Sequence, residues 1–175
     1  MSHIETITGE LRALAAGVER AQGLVGAADK QAQDVALRAA GAGFAAVAAG
    51  VVRVRGAIGE LRGGLGALAT SLGEATTVTA TVPHQATPQE TIAGLTPVRQ
   101  AVDAARQATA RSIAQVGEVQ QLARVVLQGG QPGPMLAGLE SVKQVLTLVV
   151  QRTGTAGRAV DAAVAEARQL GATTD

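Results

Sequence analysis

The sequence contains no cysteine, no tryptophan and no tyrosine, and Phe44 is its only phenylalanine. The absence of cysteine excludes disulfide bonds, thiolate metal sites and a cysteine nucleophile. The shortage of aromatic residues leaves single-stranded nucleic acid without the side chains on which its bases would stack. A compact globule anchored by buried aromatic side chains is therefore not expected.

An excess of either charge is also missing, because 15 lysines and arginines face 14 aspartates and glutamates, for a formal net charge of +1. Proteins that bind nucleic acids neutralise phosphates with a basic excess. Since this chain lacks such an excess, we expect no nucleic-acid partner.

Long apolar runs are absent as well. The longest apolar run without a charge spans residues 39–52, between Arg38 and Arg53, whereas a helix that crosses a bilayer needs about 20 residues. The run therefore favours a buried helix over a membrane span. Residues 1–10 contain Glu5 and Glu10 but no lysine or arginine, unlike a secretory signal. We favour a cytoplasmic location, with the compartment otherwise open.

The sequence offers no catalytic or metal-binding motif. Its two histidines, His3 and His84, lack a second histidine or a carboxylate at the spacing that helical metal ligands use, and we expect both to be solvated. The letters of a dinucleotide-binding fingerprint occur at residues 41–46, but no strand pattern precedes them, which favours helix packing by small residues. We expect no catalytic residue, metal or cofactor, and no enzyme.

Periodic apolar residues, in contrast, are abundant and predict helices. The first stripe alternates spacings of three and four and consists of Ile4, Ile7, Leu11, Leu14 and Val18. Such spacing is typical of one apolar helix face. The pattern weakens afterwards, so we predict that the first helix ends near Gly26 and that Asp29 caps the next one.

A second stripe repeats every seven residues, with another apolar position three residues after each member. It comprises Leu37, Phe44, Val47, Val51, Val54, Ile58, Leu61, Leu65, Leu68 and Leu72. The many glycines and alanines beside it indicate a closely packed partner helix. A hairpin turn would form most easily at Gly63 and Gly64, so this helix either continues there or folds back.

Residues 76–89 interrupt the helical pattern, because they are rich in threonine and valine, contain two prolines and carry no charge. We predict a linker there. Thr87, Pro88 and Glu90 have the spacing of a capping box at a helix start, although Pro97 also allows a later start. Two more stripes follow, separated by the short glycine- and proline-rich segment at residues 129–134.

These patterns predict an all-α protein, an elongated antiparallel helical bundle of about four helices with coiled-coil-like packing. Residues 1–75 form an N-terminal hairpin, residues 76–89 a linker, and residues 90–172 a C-terminal hairpin. The two hairpins are able to pack as one bundle.

The heptads at residues 4–18 and 37–72, and the glycine-rich residues 62–66, resemble the WXG-like helical-hairpin proteins of type VII secretion loci. They are also similar to alanine-rich actinobacterial helical proteins. The resemblance implies pairing with an effector or partner chain. A chain without tryptophan and tyrosine lacks the Trp-x-Gly turn and the tyrosine-containing export signal of that family, so export by that route is not expected.

The sequence therefore predicts a non-enzymatic interaction or adaptor protein that self-associates or pairs with a larger protein, possible partners being a second copy or a secretion-associated effector. The second stripe, from Leu37 to Leu72, is its predicted packing surface. The alternative is an amphipathic structural protein that binds a membrane or lipid surface through residues 37–72. The near-balanced charge does not favour this alternative, because such helices usually carry a cationic face.

Overall fold

Four long helices make up the described part of the protein. The computed structural model describes residues 2–83, 85–130 and 132–173. The helices are α1 (His3–Gly41), α2 (Ala45–Ala80), α3 (Pro88–Val126) and α4 (Gly133–Ala172). The prediction of an all-α antiparallel bundle is confirmed.

The helices form a ring in which each one packs against its two neighbours. α1 contacts α2 and α4, and α3 also contacts α2 and α4, while the diagonal pairs are not in contact within the described residues. At about 1.5 Å per residue, the 39 residues of α1 give a length near 60 Å. We call the end with the connections 42–44 and 127–132 the loop end, and the opposite end, with connection 81–87, the terminal end.

The first helix is longer than the sequence predicts, because α1 continues through Gly26 as far as Gly41. The prediction that it ends near Gly26 is wrong. Its buried face is continued by the small residues Ala28, Ala32 and Ala39, which keep the spacing but carry little apolar area. Asp29 does not cap a helix. It lies inside α1, where its Oδ1 accepts a hydrogen bond of 2.9 Å from Nε of Arg55 on α2.

The turn of the first hairpin lies at residues 42–44. Gly43 has a φ of +81° there, a left-handed conformation that only glycine adopts without strain. The amide of Phe44 donates a hydrogen bond of 2.8 Å to the carbonyl of Ala39 and closes the turn. α2 passes straight through Gly63 and Gly64, so the chain does not fold back at that pair.

The connection between the hairpins is shorter than the predicted linker at residues 76–89. α2 extends to Ala80, and threonine hydroxyls in its last turns bond to carbonyl oxygens one turn earlier. Thr76 donates to Leu72 and Thr79 donates to Ala75, both at 2.8 Å. Thr79 is also completely buried, so packing against the bundle outweighs the weak helix propensity of this segment.

The start of α3 confirms the predicted capping box. The Thr87 side chain accepts a hydrogen bond from the Glu90 amide, and the Thr87 amide donates to Oε2 of Glu90 at 2.8 Å. Pro88 occupies the first turn, and Pro97 lies inside the helix without delaying its start. The capping box thus defines the residue at which α3 begins, at the terminal end of the bundle.

The cap makes stability depend on pH. The hydrogen bonds from the backbone and side chain of Thr87 hold the pKa of Glu90 below its ordinary value of 4.5. A lowered pKa in the folded state contributes stability above pH 4.5, and that contribution is lost as the pH falls through the folded-state pKa. We expect the stability difference between the wild type and Glu90→Gln to be larger at pH 7 than at pH 3. Chemical denaturation followed by circular dichroism measures it, and an equal difference at both pH values would contradict this prediction.

Candidate interaction site at the loop end

Most of the predicted stripe lies inside the bundle. Its buried members are Val51, Val54, Ile58, Leu61, Leu65, Leu68 and Leu72. They belong to the single apolar core, where Val47 is partly buried against them. These seven side chains already pack within the chain itself, which leaves them unavailable to a partner in this fold.

Two members of the stripe are not in the core. Leu37 is 65% exposed and Phe44 is 63% exposed. Leu37 lies on α1, whose buried positions follow the register of Leu11 and Leu14 rather than that of α2. Phe44 occupies the N-cap position of α2, at the end of the turn. Placing these two residues on the packed face of a second helix was wrong, since the turn at 42–44 separates two helices with different registers.

Several polar side chains bridge neighbouring helices. Asp29 of α1 pairs with Arg55 and, at 3.7 Å, with Arg62 of α2. The hydrogen bond and the charge of Asp29 raise the pKa of Arg55 above its ordinary value. These pairs join α1 to α2.

A similar cluster joins α3 to α4. Arg99 Nε donates a hydrogen bond of 2.8 Å to Asp161 and also pairs with Asp103 on its own helix. Hydrogen bonds to Asp161 and then Asp103 raise the pKa of Arg99. The guanidinium lies over Gly157, where an added Cβ would be 3.5 Å from Cζ of Arg99. The cluster thus holds the second hairpin together.

Within the described residues, no group of three or more histidine, aspartate or glutamate side chains is arranged to hold a metal ion. His3 pairs with Glu166 across α1 and α4, while His84 lies outside the described residues. The residues 41–46, which share letters with the dinucleotide fingerprint, form the helix–helix turn and the start of α2. The interpretation that they pack inside a helix was wrong, because the turn needs Gly43.

An open cavity of about 500 Å³ lies at the loop end. It is lined by Val35, Arg38, Ala39, Ala42, Phe44, Val47, Val126, Leu127, Gln128, Gly129 and Gly130. Its walls come from the end of α1, the start of α2 and the end of α3. The cavity is within the size range of ligand pockets and is large enough for apolar side chains of another molecule.

Two exposed apolar residues neighbour lining residues in the sequence but do not line the cavity themselves. Val125 precedes the lining residue Val126 and is 56% exposed, and Leu37 precedes the lining residue Arg38. We call these two residues together with Phe44, Val47 and Val126 the loop-end patch. The chain's single aromatic side chain therefore stands at the rim of an apolar cavity and is largely in solvent.

One positive charge lies in the cavity wall, and two further arginines lie on helices that contribute to it. Arg38 lines the cavity, Arg124 lies two residues before Val126, and Arg53 lies one turn after Gly50, which faces Val126. None of these three arginines forms an ion pair within the described part of the chain. The sequence prediction found Phe44 and Val47 but missed Arg38, Val125 and Val126, because residues from three helices meet only in the folded bundle.

The helices were also compared with membrane spans and with known proteins. None of the helices, over the residues that the structure describes, has a segment long and apolar enough to cross a membrane.

No curated protein and no solved structure is similar enough to the chain to match it. Residues 86–172, which contain α3 and α4, match the model of a family of unknown function, DUF6244.

Proposed function

We propose that the protein is a non-enzymatic helical interaction protein that associates with itself or with a larger protein through the loop-end patch. The observation that carries this proposal is the exposure of Phe44 beside an apolar cavity. The predicted link to type VII secretion belongs to the proposal and receives no support from the matched family, whose function is unknown.

The energetics of the patch support an interaction. Completely burying an aromatic or large aliphatic side chain is worth about 1.5–3 kcal/mol, so a partner that covers the exposed ring of Phe44 gains a substantial part of that energy. Aromatic side chains that become buried in an interface are common among the residues that dominate binding energy. The core is already packed with the chain's own side chains, so the proposal rests on exposed apolar surface, with Phe44 at the loop-end cavity as its main feature.

Replacing Phe44 by serine is expected to reduce association at least about tenfold, because it removes an apolar anchor worth more than about 1.4 kcal/mol. A photo-crosslinking amino acid at Ala42, which is exposed and lines the cavity, captures the partner in the source cell. The measured quantities are the crosslinked fraction and, for self-association, the molar mass by light scattering.

The matched control is Leu148→Ser. Leu148 on α4 is 63% exposed, as is Phe44, but it does not line the loop-end cavity. The control should retain the wild-type crosslinked fraction. A wild-type protein that stays at its monomer mass of 17.4 kDa and yields no crosslinked protein would contradict the proposal, as would equal losses in both variants.

The lipid-surface alternative has a separate requirement. Binding through the whole segment 37–72 would require its buried side chains to leave the core, so within that segment only exposed residues such as Leu37, Phe44 and Val52 are available to a bilayer in this fold. Flotation with liposomes tests this alternative. Flotation that Phe44→Ser abolishes, without any protein partner, would favour the lipid function.

A further inference from the structure

We propose that the two hairpins are interchangeable halves of the bundle, and that the second hairpin of one copy packs on the first hairpin of another copy in a hairpin-exchanged dimer. Each bundle of this dimer contains α1 and α2 of one chain and α3 and α4 of the other. The interaction surface is the face between the hairpins, which is formed by the α1–α4 and α2–α3 contacts. This surface is separate from the loop-end patch.

The two hairpins are equivalent in length and topology. The four helices contain 39, 36, 39 and 40 residues in chain order. Exchanging α1 with α3 and α2 with α4 turns the α1–α4 contact into the α2–α3 contact, so the ring of contacts stays the same. Each hairpin also begins with a capping box, at Ser2 and at Thr87. The bundle therefore has the topology of two copies of one unit.

The buried face of α1 has the register of that of α3. Every buried residue of α1 from Leu11 to Ala39 has a buried counterpart in α3 at one constant offset in the sequence. The same offset takes both ends of α1 to within one residue of the ends of α3. Counterparts that are identical include Leu11 and Leu95, Val18 and Val102, and Ala39 and Ala123.

The second helices of the two hairpins correspond in the same way. Every buried residue of α2 from Val51 to Thr79 has a buried counterpart in α4, at an offset that is larger because the connection between α3 and α4 is longer than the first turn. A Cβ added to Gly50 would meet Val126 of α3, and one added to its counterpart Gly138 would meet Gln31 of α1. Both glycines thus face the opposite hairpin.

Each hairpin has polar pairs of its own that hold its two helices together. Pairs within a hairpin are Asp29 with Arg55, Arg99 with Asp161, and Gln120 with Glu140. Between the hairpins, Arg152 lies 4.0 Å from Glu10, and the pair of His3 and Glu166 is about half exposed at the terminal end. When the hairpins separate, the pairs within each hairpin are therefore retained, and the face that opens is mainly apolar.

A second copy of the chain is the partner that fits this face. Its second hairpin has the same sequence as the one that it replaces, so exchange reproduces the contacts of the closed bundle. Only the connection 81–87 has to change. Its seven residues reach about 23 Å when extended, at about 3.3 Å per residue, which is more than the diameter of a helix. The matched family region, residues 86–172, begins at this connection.

Thiols on α1 and α4 of separate chains test the exchange. The chain has no cysteine, so His3→Cys and Glu166→Cys each supply one thiol at positions that pair across α1 and α4. The two full-length variants are unfolded together in urea, refolded at high concentration in equal amounts and oxidised. Exchange brings the two positions together, so disulfides between unlike chains should exceed those between like chains several-fold. Random encounters give equal amounts, and that result would overturn the inference.

The matched control places the thiols on the two helices of one hairpin. Asp29→Cys and Arg55→Cys replace a pair across α1 and α2. Because each hairpin stays within one chain, exchange does not bring these positions of different chains together, and their disulfides should keep the random proportion. An equal excess of unlike disulfides in both sets would show that the hairpin is not the exchanged unit and would overturn the inference.

The length of the connection should control the exchange. Deleting residues 84 and 85 strains the reversal of direction between α2 and α3, and strained short connections favour exchange. The deletion variant should have about twice the monomer mass of 17.4 kDa by light scattering, while inserting two serines there should lower the dimer fraction. A folded deletion variant at the monomer mass would overturn the inference. If circular dichroism shows it unfolded, the disulfide proportions decide.

Phe44→Ser separates this inference from the proposed function. Phe44 lies at the loop end, outside the face between the hairpins, so the excess of unlike disulfides should persist when both chains carry Phe44→Ser. Loss of the excess would assign the association to the loop-end patch and overturn the exchange. Random proportions without Phe44→Ser would overturn the exchange but leave the loop-end proposal standing, because that patch does not use the face between the hairpins.

Discussion

Replacing Leu65 with alanine is expected to lower the free energy of unfolding by about 2–5 kcal/mol. Leu65 is completely buried in the core, on the face of α2 that packs within the bundle. The substitution removes the transfer energy of the lost methyl and methylene groups and leaves a cavity among rigid helices. Chemical denaturation followed by far-UV circular dichroism measures the change, since the chain has no tryptophan or tyrosine for fluorescence.

Leu37→Ala is the matched control, because Leu37 belongs to the same predicted stripe and differs from Leu65 in its burial. Its side chain is 65% exposed, and exposed substitutions of this kind usually change stability by less than about 0.5 kcal/mol. Equal destabilisation by the two substitutions would contradict the described register of α1 and α2.

The second large effect concerns the contact between α2 and α3 near the loop end. Gly50 is buried, and a Cβ added to it would lie 2.6 Å from Cγ1 and 3.3 Å from Cβ of Val126. A valine side chain is short and stiff, so the two helices must separate. We expect Gly50→Ala to destabilise the protein by about 1–3 kcal/mol through overpacking.

Gly56→Ala, in the same helix, is expected to stabilise the protein instead. A Cβ at Gly56 meets nothing within 4 Å, and alanine is favoured over glycine inside a helix by about 1 kcal/mol. The two glycine substitutions should therefore change the midpoint of denaturation in opposite directions. If Gly50→Ala stabilised the protein, the Val126 side chain would be able to move aside without an energetic penalty. That result would contradict the close contact between α2 and α3.

The sequence predicts the second hairpin better than the first. Thr87, Pro88 and Glu90 mark the start of α3 because a capping box is a local arrangement of neighbouring residues, and the structure contains both of its hydrogen bonds. The short connection before α4 is similarly local, since glycine and proline end helices wherever they occur. The capping box of Ser2 and Glu5 at the start of α1 has the same spacing, but it was not predicted from the sequence.

The first hairpin was misjudged because small residues weaken the pattern. α1 keeps its register through Ala28, Ala32 and Ala39, but alanine is too common in this chain to distinguish a buried position from an exposed one. Because Leu37 and Phe44 are larger and fit the seven-residue spacing of α2, the predicted register of α2 was extended backwards across the turn at residues 42–44. Only the packing of the bundle, which is not a local property, resolves which register each helix uses.

The loop-end patch could be predicted in part. Its members Leu37, Phe44 and Val47 were predicted as interaction residues, although for the interior of a helix face rather than an exposed end. The other side of the cavity comes from residues 126–130, far away in the sequence. Their proximity to Phe44 depends on the antiparallel order of the helices, and no local spacing encodes that relationship.

The ring of helices also has consequences for how the bundle opens. α1 and α4 pack against each other, but no segment connects them, whereas the other neighbouring pairs are joined by short connections. Contacts such as that of Gly17 with Val149 join the two halves of the sequence, so they require nearly the whole chain to be in place. Because the α1–α4 and α2–α3 contacts both join one hairpin to the other, a partial unfolding that separates the hairpins has to open both contacts, while the contacts within each hairpin can remain.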